Sequence, residues 1–566
     1  MPEQLDERTQ SPERSGSVDD EGHDGVDGPA HRWAPPALVL AVCLLPLVGL
    51  WRTPGPPMEE GFMLVFPELV LEGRLPNRDF LHLYGPGGLW VLAGAYQLFG
   101  TSLAVERVVG LAQHLGVAFG VYALIRPWGR WVAAGGGVTA AVTILTPHGL
   151  TALAWVGAVA LGLWAVRSGC EAVDAEPGST RRRRQVTIGG LLAGAALLYR
   201  LDLVLAVGLA AAVIATGLDR ATRRRGLIAL AVGLSPYLIH LLTAGPANVV
   251  DGMLIEPVFG LRGGRGLPLP PATGDFYDGF LQQVGTIDEP PWPLPALRGP
   301  LQLALWLGLL LVVVGVLAWA GLRAFRRGER RLLAIAGFGA GLLPQALQRA
   351  DSTHVAWVAC VAFGVLPAAI MELTRGHHQR VRVLAAVGLP LLVTLAVIPY
   401  FTWRPYADAV AATFGGRPEV GTMRNGDRTF LYGRPEAVDA VNDLLPVVDD
   451  ITDPGDRLFV GPGDLRKTPY NEAFLYHLLP ELVPATRYIE MDPGVANAAD
   501  SGLADEVASA DVLILSTIRD AWTEPNGSRD FGPDEPNQVV ARDFCLVGAY
   551  GDGDGDRGLY EVYRRC

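Results

Sequence analysis

Four clusters in this 566-residue sequence set acids, arginines or histidines beside apolar runs, and each has the groups for chemistry. The first is Met58-Glu59-Glu60-Gly61, followed by Asn77-Arg78-Asp79-Phe80 and then His82. Two adjacent carboxylates repel each other, and partial burial raises the pKa of at least one. A carboxylate in that state is ionised yet accepts a proton, as a general base must. The plainer reading is that Glu59 and Glu60 open a helix, where acids favour the dipole. Glu59, Glu60, Asp79 and His82 also carry donor atoms for a divalent cation. The second cluster is Leu198-Tyr199-Arg200-Leu201-Asp202, between two apolar runs. An arginine there needs a partner or water. Asp202 is one candidate, and a phosphate that matches the planar guanidinium fork is the other. The third is Gln345-Ala-Leu-Gln-Arg349-Ala-Asp351-Ser-Thr-His354. Arg349 and His354 suit a phosphate, with Asp351 ordering either; a polar turn between two spans is the bland alternative. The fourth is Arg262 and Arg265, in a loop rich in Gly and Pro.

The elements that must position these residues follow from composition. Half of the chain is AVILMFWYC, 18% is charged, and the mean hydropathy is +0.27. An ordinary soluble domain carries about 25% charge. The apolar residues fall in runs at 34–51, 103–125, 131–146, 149–166, 187–199, 203–217, 226–244, 301–322, 332–347, 355–373 and 383–402. A span needs about 20 residues. The pattern predicts a polytopic α-helical membrane protein of about 11 spans over residues 33–402. It excludes a disulfide scaffold, a fibrous protein and a soluble Rossmann-type enzyme. Runs 187–199 and 203–217 are short and read as two tilted helices or as one broken helix lining a cavity.

Arginines set the expected orientation. They cluster at Arg126 and Arg130, at Arg181 to Arg184, and at Arg220, Arg223, Arg224 and Arg225. Further clusters are Arg323, Arg326, Arg327, Arg330 and Arg331, and then Arg375, Arg380 and Arg382. Each falls on every second connection, which the positive-inside rule makes cytoplasmic. The N-terminus is then inside. The long first loop 52–102, the connections 200–202, 245–300 and 348–354, and residues 403–566 are outside. All four chemical clusters share that outer face. Segment 86–99 is too short to span and reads as a helix at the membrane surface. Residues 1–32 read as a disordered acidic cytoplasmic tail. Much of the acid behind the net charge of −12 sits in that tail and in the last 160 residues, while the membrane part is basic at its cytoplasmic loops, so no nucleic-acid partner is implied.

Residues 403–566 change character. Strand-like Asp456-Arg-Leu-Phe-Val460 and Asp511-Val-Leu-Ile-Leu-Ser516 alternate with helix-like 470–480 and 502–509, which predicts a small extracytoplasmic α/β domain. Phe544 to Arg565 reads as a hairpin. Asp552, Asp554 and Asp556 at its tip are spaced like the start of a calcium loop, but the later ligands are misplaced and a polar turn is the simpler reading. Cys545 and Cys566 lie in this domain, where a bridge is chemically allowed.

The order of motifs resembles the GT-C superfamily of integral-membrane glycosyltransferases. It runs from Glu59-Glu60-Gly61 through Leu71-Glu-Gly-Arg-Leu-Pro-Asn-Arg-Asp79-Phe80 and Tyr84-Gly-Pro86 to Leu98-Phe-Gly100 and Glu106-Arg107. It is similar to the branch holding protein O-mannosyltransferase-like and lipid A aminoarabinose transferase-like enzymes. The likeness continues at Gly189 to Arg200 and at Arg349 to His354, and covers roughly residues 35–400. The resemblance implies a polyprenyl-phosphate sugar donor and a glycan, glycolipid or protein acceptor reached from the outer side of the plasma membrane. Mannose and arabinose donors both fit, and the arginine-rich, GC-rich composition makes an actinobacterial source the expectation. In the family the first acid of an Asp-Glu-Gly motif is the base. Here Glu59 stands at that position, with Glu60 beside it and Asp79 as a third acid. The basic residue after the fifth span maps onto Arg200, with Arg349 or His354 sharing the phosphate. His82, Asp351, Arg262 and Arg265 are secondary candidates. No metal is required, although a divalent cation is chemically allowed. The rival readings are a lipid-linked sugar transporter or flippase and a non-enzymatic envelope scaffold. Failure of Glu59, Arg200 and Arg349 to converge on one external cleft would favour the scaffold, and Arg or Asp residues lining a continuous path through the bilayer would favour the transporter.

Overall fold

The structure, a computed structural model, describes residues 29–269, 299–394, 403–415, 420–468, 471–520, 524–552 and 558–566. The remainder of the acidic tail and of the 245–300 loop, the end of run 383–402, and Asp554 and Asp556 lie outside these residues.

Among the described residues each of the eleven apolar runs overlaps a helix. Six helices among the described residues are long and apolar enough to cross a bilayer: Arg32–Arg52, Leu103–Trp128, Ala154–Asp174, Arg220–Ala244, Leu303–Phe325 and Ser352–Leu373. The other five runs lie on Arg130–His148, Thr180–Tyr199, Val204–Ala215, Arg331–Gln348 and Gln379–Leu392. These are shorter, or carry arginines in their first turns, so the count of 11 rests on the sequence pattern alone. Their shared core is packed with Trp155, Trp306, Phe338 and Phe363, each 1% exposed or less. Apolar burial on that scale fixes the relative position of the helix ends.

The first loop is structured. Pro57 starts a helix, Pro57–Leu71, at the position where proline's missing N–H is harmless. Gly87–Phe99 packs Leu89, Leu92 and Tyr96 against it and leaves Leu98 and Phe99 exposed at its tip. The opposite side of Pro57–Leu71 meets the C-terminal domain. Met58, Phe62 and Phe66 join Phe430, Tyr432 and Phe474 in one apolar cluster. Loop and domain therefore share a core.

The C-terminal domain holds two sheets. A hairpin pairs β1 (Gly421–Asn425) with β2 (Arg428–Tyr432). The larger sheet contains β3 (Arg457–Pro462), β4 (Val483–Pro484), β5 (Val512–Ser516), β6 (Phe544–Tyr550) and β7 (Tyr560–Arg565) in the order β4-β3-β5-β7-β6. Strands β4, β3 and β5 are parallel, and β7 and β6 add antiparallel. A disulfide joins Cys545 to Cys566 across the start of β6 and the chain end. β5, all five residues buried and four of them apolar, is the central strand of the sheet.

Candidate active site

Consecutive helical residues point about 100° apart, so Glu59 and Glu60 cannot share an environment. Glu60 turns into the protein. Arg107 grips it with both arms, Nε to Oε1 at 2.8 Å and Nη2 to Oε2 at 2.9 Å, and the Gly55 N–H donates to Oε2. Arg107 also donates to the Leu50 and Trp51 carbonyls. The pair is 2% and 0% exposed, a closed structural joint between the first loop and the span Leu103–Trp128. Glu59 points the other way, into a cavity of about 610 Å³. Its Oε2 is buried and has no hydrogen-bond partner. Burial raises its pKa, opposed by the charges of Arg265, Arg519 and Arg349.

Gly61, the last residue of that motif, is required by a close approach. A Cβ there would sit 2.8 Å from the backbone nitrogen of Phe474. The C-terminal domain is thus seated two residues, about half a turn, from Glu59.

Arg200 follows the end of Thr180–Tyr199 and adopts an extended backbone. Tyr84-Gly85 holds it. Gly85 lies so close to the Leu198 carbonyl that a Cβ would be 2.1 Å away, and its N–H donates to the Tyr199 carbonyl. The Tyr84 ring is then 4.0 Å from the Arg200 guanidinium, and Trp155 is 5.3 Å away. Asp202 accepts from Arg200 at 3.0 and 2.6 Å and also from Gln345. This arginine is therefore paired with Asp202, and it also lines the cavity.

Arg349 and Asp351 form the corner between Arg331–Gln348 and Ser352–Leu373. Asp351 caps the second helix, accepting from the His354 N–H at 2.8 Å. It also lies 2.8 Å from His354 Nδ1 and accepts from Arg349 Nε at 2.7 Å. Burial raises its pKa, but His354 and Arg349 outweigh that and hold it well below the usual range. With Nδ1 engaged, Nε2 is the histidine nitrogen left for a ligand. The His354 ring lies on Trp357, centroids 4.4 Å apart.

The C-terminal domain supplies the residues the sequence reading missed. Glu490 lines the cavity opposite Glu59. Burial, reinforced by Asp492, raises its pKa well above the carboxylate range. Asp492 binds Arg265 at 2.7 Å. Glu524 accepts from both Nη atoms of Arg349. Glu490 and Asp492 follow β4, and Glu524 follows β5. These are carboxyl ends of parallel strands, where open α/β sheets present their ligand crevice. That rule, applied to residues 485–492 and 517–524, is the signal by which they could have been found.

Glu59, Arg200, Arg262, Arg265, Arg349, Asp351 and His354 therefore meet in one cavity, and three other candidates do not reach it. Glu60 is locked on Arg107. Asp79 is tied to Arg78 at 2.9 Å and to the Leu75 N–H, away from the cavity. His82 is buried between the rings of Phe66 and Tyr84, and burial holds its pKa down at about 3. The proposed cation donors Glu59, Glu60, Asp79 and His82 are thus dispersed. Among the described residues no three His, Cys, Asp or Glu groups gather as a metal ion requires. Arg262, exposed at the rim, makes no ion pair among the described residues.

A bundle of spans, a helical first loop packed under a C-terminal α/β domain and a charged cavity between them form an architecture shared with solved structures. ArnT from Cupriavidus metallidurans bound to undecaprenyl phosphate matches with a TM-score of 0.53 and 14% identity, over 94% of this chain and 98% of that one. ArnT in the apo state gives 0.52 and 13% over the same shares. The Archaeoglobus fulgidus oligosaccharyltransferase in complex with Zn and sulfate gives 0.50 and 13%, over 91% of this chain and 72% of that one. At these identities the likeness establishes the fold alone. No family model and no curated protein sequence matches the chain.

Proposed function

We propose that the chain is a glycosyltransferase that moves a sugar from a polyprenyl-phosphate donor to a cell-envelope glycan, glycolipid or protein at the outer face of the membrane. The observation that carries this reading is the cavity itself. Glu59, a carboxylate with one buried oxygen left without a hydrogen-bond partner, shares it with four arginines and a histidine drawn from distant helix ends. The ArnT neighbour's bound undecaprenyl phosphate is the donor chemistry such arginines would hold.

The reaction divides between these groups. The acceptor hydroxyl oxygen attacks the anomeric carbon and passes its proton to Glu59 Oε2. The bond from that carbon to the phosphate oxygen breaks, and its electron pair leaves with the phosphate. The donor diester becomes a monoester and gains a negative charge. Arg200, Arg349 and His354 Nε2 stabilise that charge where it develops. Tyr84, Trp155 and Trp357 hold the cationic groups in place and keep water out. Glu60 and Asp79 take no part in the proposed chemistry. A transporter would need charged groups along a path through the bilayer. The wall of this cavity includes the stacked Trp155–Trp357 pair, 5.2 Å between centroids, which belongs to the buried apolar core of the helices.

The test is transfer from a purified polyprenyl-phosphate sugar by the full-length chain. Activity lost in Glu59→Gln and sharply reduced in Arg200→Gln supports the assignment. Full activity in both removes it.

A further inference from the structure

The far ends of the helices that frame the Glu59 cavity build a second polar cavity. Ala154–Asp174, Arg331–Gln348 and Ser352–Leu373 give Ala154, Gln345 and His354 to the first. Their other ends give Asp174, Arg331 and Met371 to a cavity of about 720 Å³. These helices have 21, 18 and 22 residues. At 1.5 Å per residue these lining residues are about 20–30 Å apart along their helices, close to the thickness of the hydrocarbon core. The second cavity therefore opens at the opposite membrane face.

Four arginines line it: Arg330, Arg331, Arg375 and Arg382. Two are neutralised within the fold. Arg331 binds Asp174 at 2.5 Å, and Arg375 binds Glu329 at 2.6 Å and Glu372 at 2.8 Å. The other two have no acid among the described residues. Arg330 donates to the Thr216 hydroxyl and the Gly328 carbonyl. Arg382 donates to the Met371 carbonyl and to Gln379. Arg382 Nε and Arg331 Nη1 are buried without a hydrogen-bond partner. Buried guanidinium N–H groups left open beside unneutralised charge are the pattern of an unfilled anion site.

What lies next to it identifies the anion. An apolar groove of about 240 Å³ runs between Ala154–Asp174, Thr180–Tyr199 and Val204–Ala215, lined by Gly169, Ile214 and Leu218. Gly169 is one helical turn from Val173, which lines the basic cavity. A polar pocket for phosphate at the interface, continued by a greasy groove at membrane depth, has the shape of one molecule. We propose that this cavity binds the phosphodiester headgroup of an anionic phospholipid in the leaflet opposite the Glu59 cavity, with an acyl chain in the adjoining groove. The site is independent of sugar transfer and stands or falls without it.

The test uses full-length protein, delipidated and reconstituted in nanodiscs of phosphatidylcholine with phosphatidylglycerol, and retained lipid is read by native mass spectrometry. The wild type is expected to keep phosphatidylglycerol over phosphatidylcholine. The double variant Arg330→Gln with Arg382→Gln is expected to keep it about tenfold less, and lysine at both positions to restore part of the binding. Equal retention in the wild type and the glutamine variant overturns the proposal. Displacement by millimolar inorganic phosphate also overturns it, because the site would then read free phosphate and not lipid. Should the variants not fold, the wild type alone decides. Greater heat stability in phosphatidylglycerol than in phosphatidylcholine discs supports the site, and equal stability refutes it. Transfer activity, measured at the other face, is expected to be unchanged in the glutamine variant.

Discussion

The same substitution at two neighbouring residues is expected to have opposite effects, and the structure sets both magnitudes. Glu60→Gln breaks a two-armed ion pair that is 2% and 0% exposed. Arg107 keeps its two backbone carbonyls but loses its counter-charge, and stranding a buried charge costs about 3–5 kcal/mol. The thermal midpoint in detergent should fall clearly, with whatever protein remains folded still able to transfer sugar. Glu59→Gln removes a carboxylate whose buried oxygen has no partner. Its folded-state pKa lies above the unfolded value, so it favours folding only at low pH and opposes it once ionised. Glutamine relieves that penalty, and the thermal midpoint should hold or rise. The turnover rate should instead drop about 10²–10⁴-fold, the usual contribution of a positioned general base. The assay is transfer of labelled sugar from polyprenyl phosphate, run with a thermal unfolding scan on the same preparations. The reverse result, a stable but inactive Glu60→Gln beside an active Glu59→Gln, would refute the assignment and the geometric reasoning behind it.

Other expectations follow from the same site. Glu524 occupies both Nη atoms of Arg349, so Glu524→Gln should free that arginine for donor phosphate and lower the donor KM about fivefold, roughly 1 kcal/mol; a raised KM would mean that Glu524 orders the arginine instead. Gly61→Val puts side-chain atoms into the Phe474 backbone, and limited proteolysis should show the C-terminal domain released, with activity reduced along with it. Transfer should rise with pH through the Glu59 pKa, which burial holds above the ordinary value of about 4.3, and the residual rate of Glu59→Gln should lack that step. Stability should fall as pH drops below about 6.5, because unfolded His82 takes a proton there while the buried native ring does not until about 3; a thermal midpoint flat across that window in the wild type, or equally steep in His82→Asn, would contradict this.

How far the sequence reached depended on how local each signal was. Helices were legible because apolar runs in a bilayer leave few alternatives, and the strands around Leu458 and Ile514 because short continuous apolar runs interleaved with helix-like segments are local signals too. The choice between Glu59 and Glu60 was not legible, because it turns on Arg107, a partner 47 residues away. Asp79 carried the same residue type as a catalytic acid, but an adjacent arginine and its own turn absorb it. Arg200 and Arg349 were visible because an arginine at a helix end near the bilayer must have a partner. What could not be read was that the partner of Arg349 comes from the other domain.

That cross-domain pairing changes how the cavity works. Arg200 is tied to Asp202 within the membrane domain, whereas Arg265 and Arg349 are tied to Asp492 and Glu524 of the C-terminal domain. Glu524 stands where a phosphate would stand, with two oxygens facing the fork of Arg349, and Asp492 holds one arm of Arg265. A donor phosphate must share or displace them, and the contacts given up are the ones that seat the domain over the cavity. Donor binding and domain seating are then coupled free energies, and by reciprocity whatever loosens the domain favours the donor phosphate. Amide exchange in residues 485–492 and 524–532, with and without an undecaprenyl-phosphate donor, reads that coupling directly. Faster exchange on binding is the expected result. Unchanged protection would mean that the arginines accept the phosphate with the acids still in place, and the coupling would be absent.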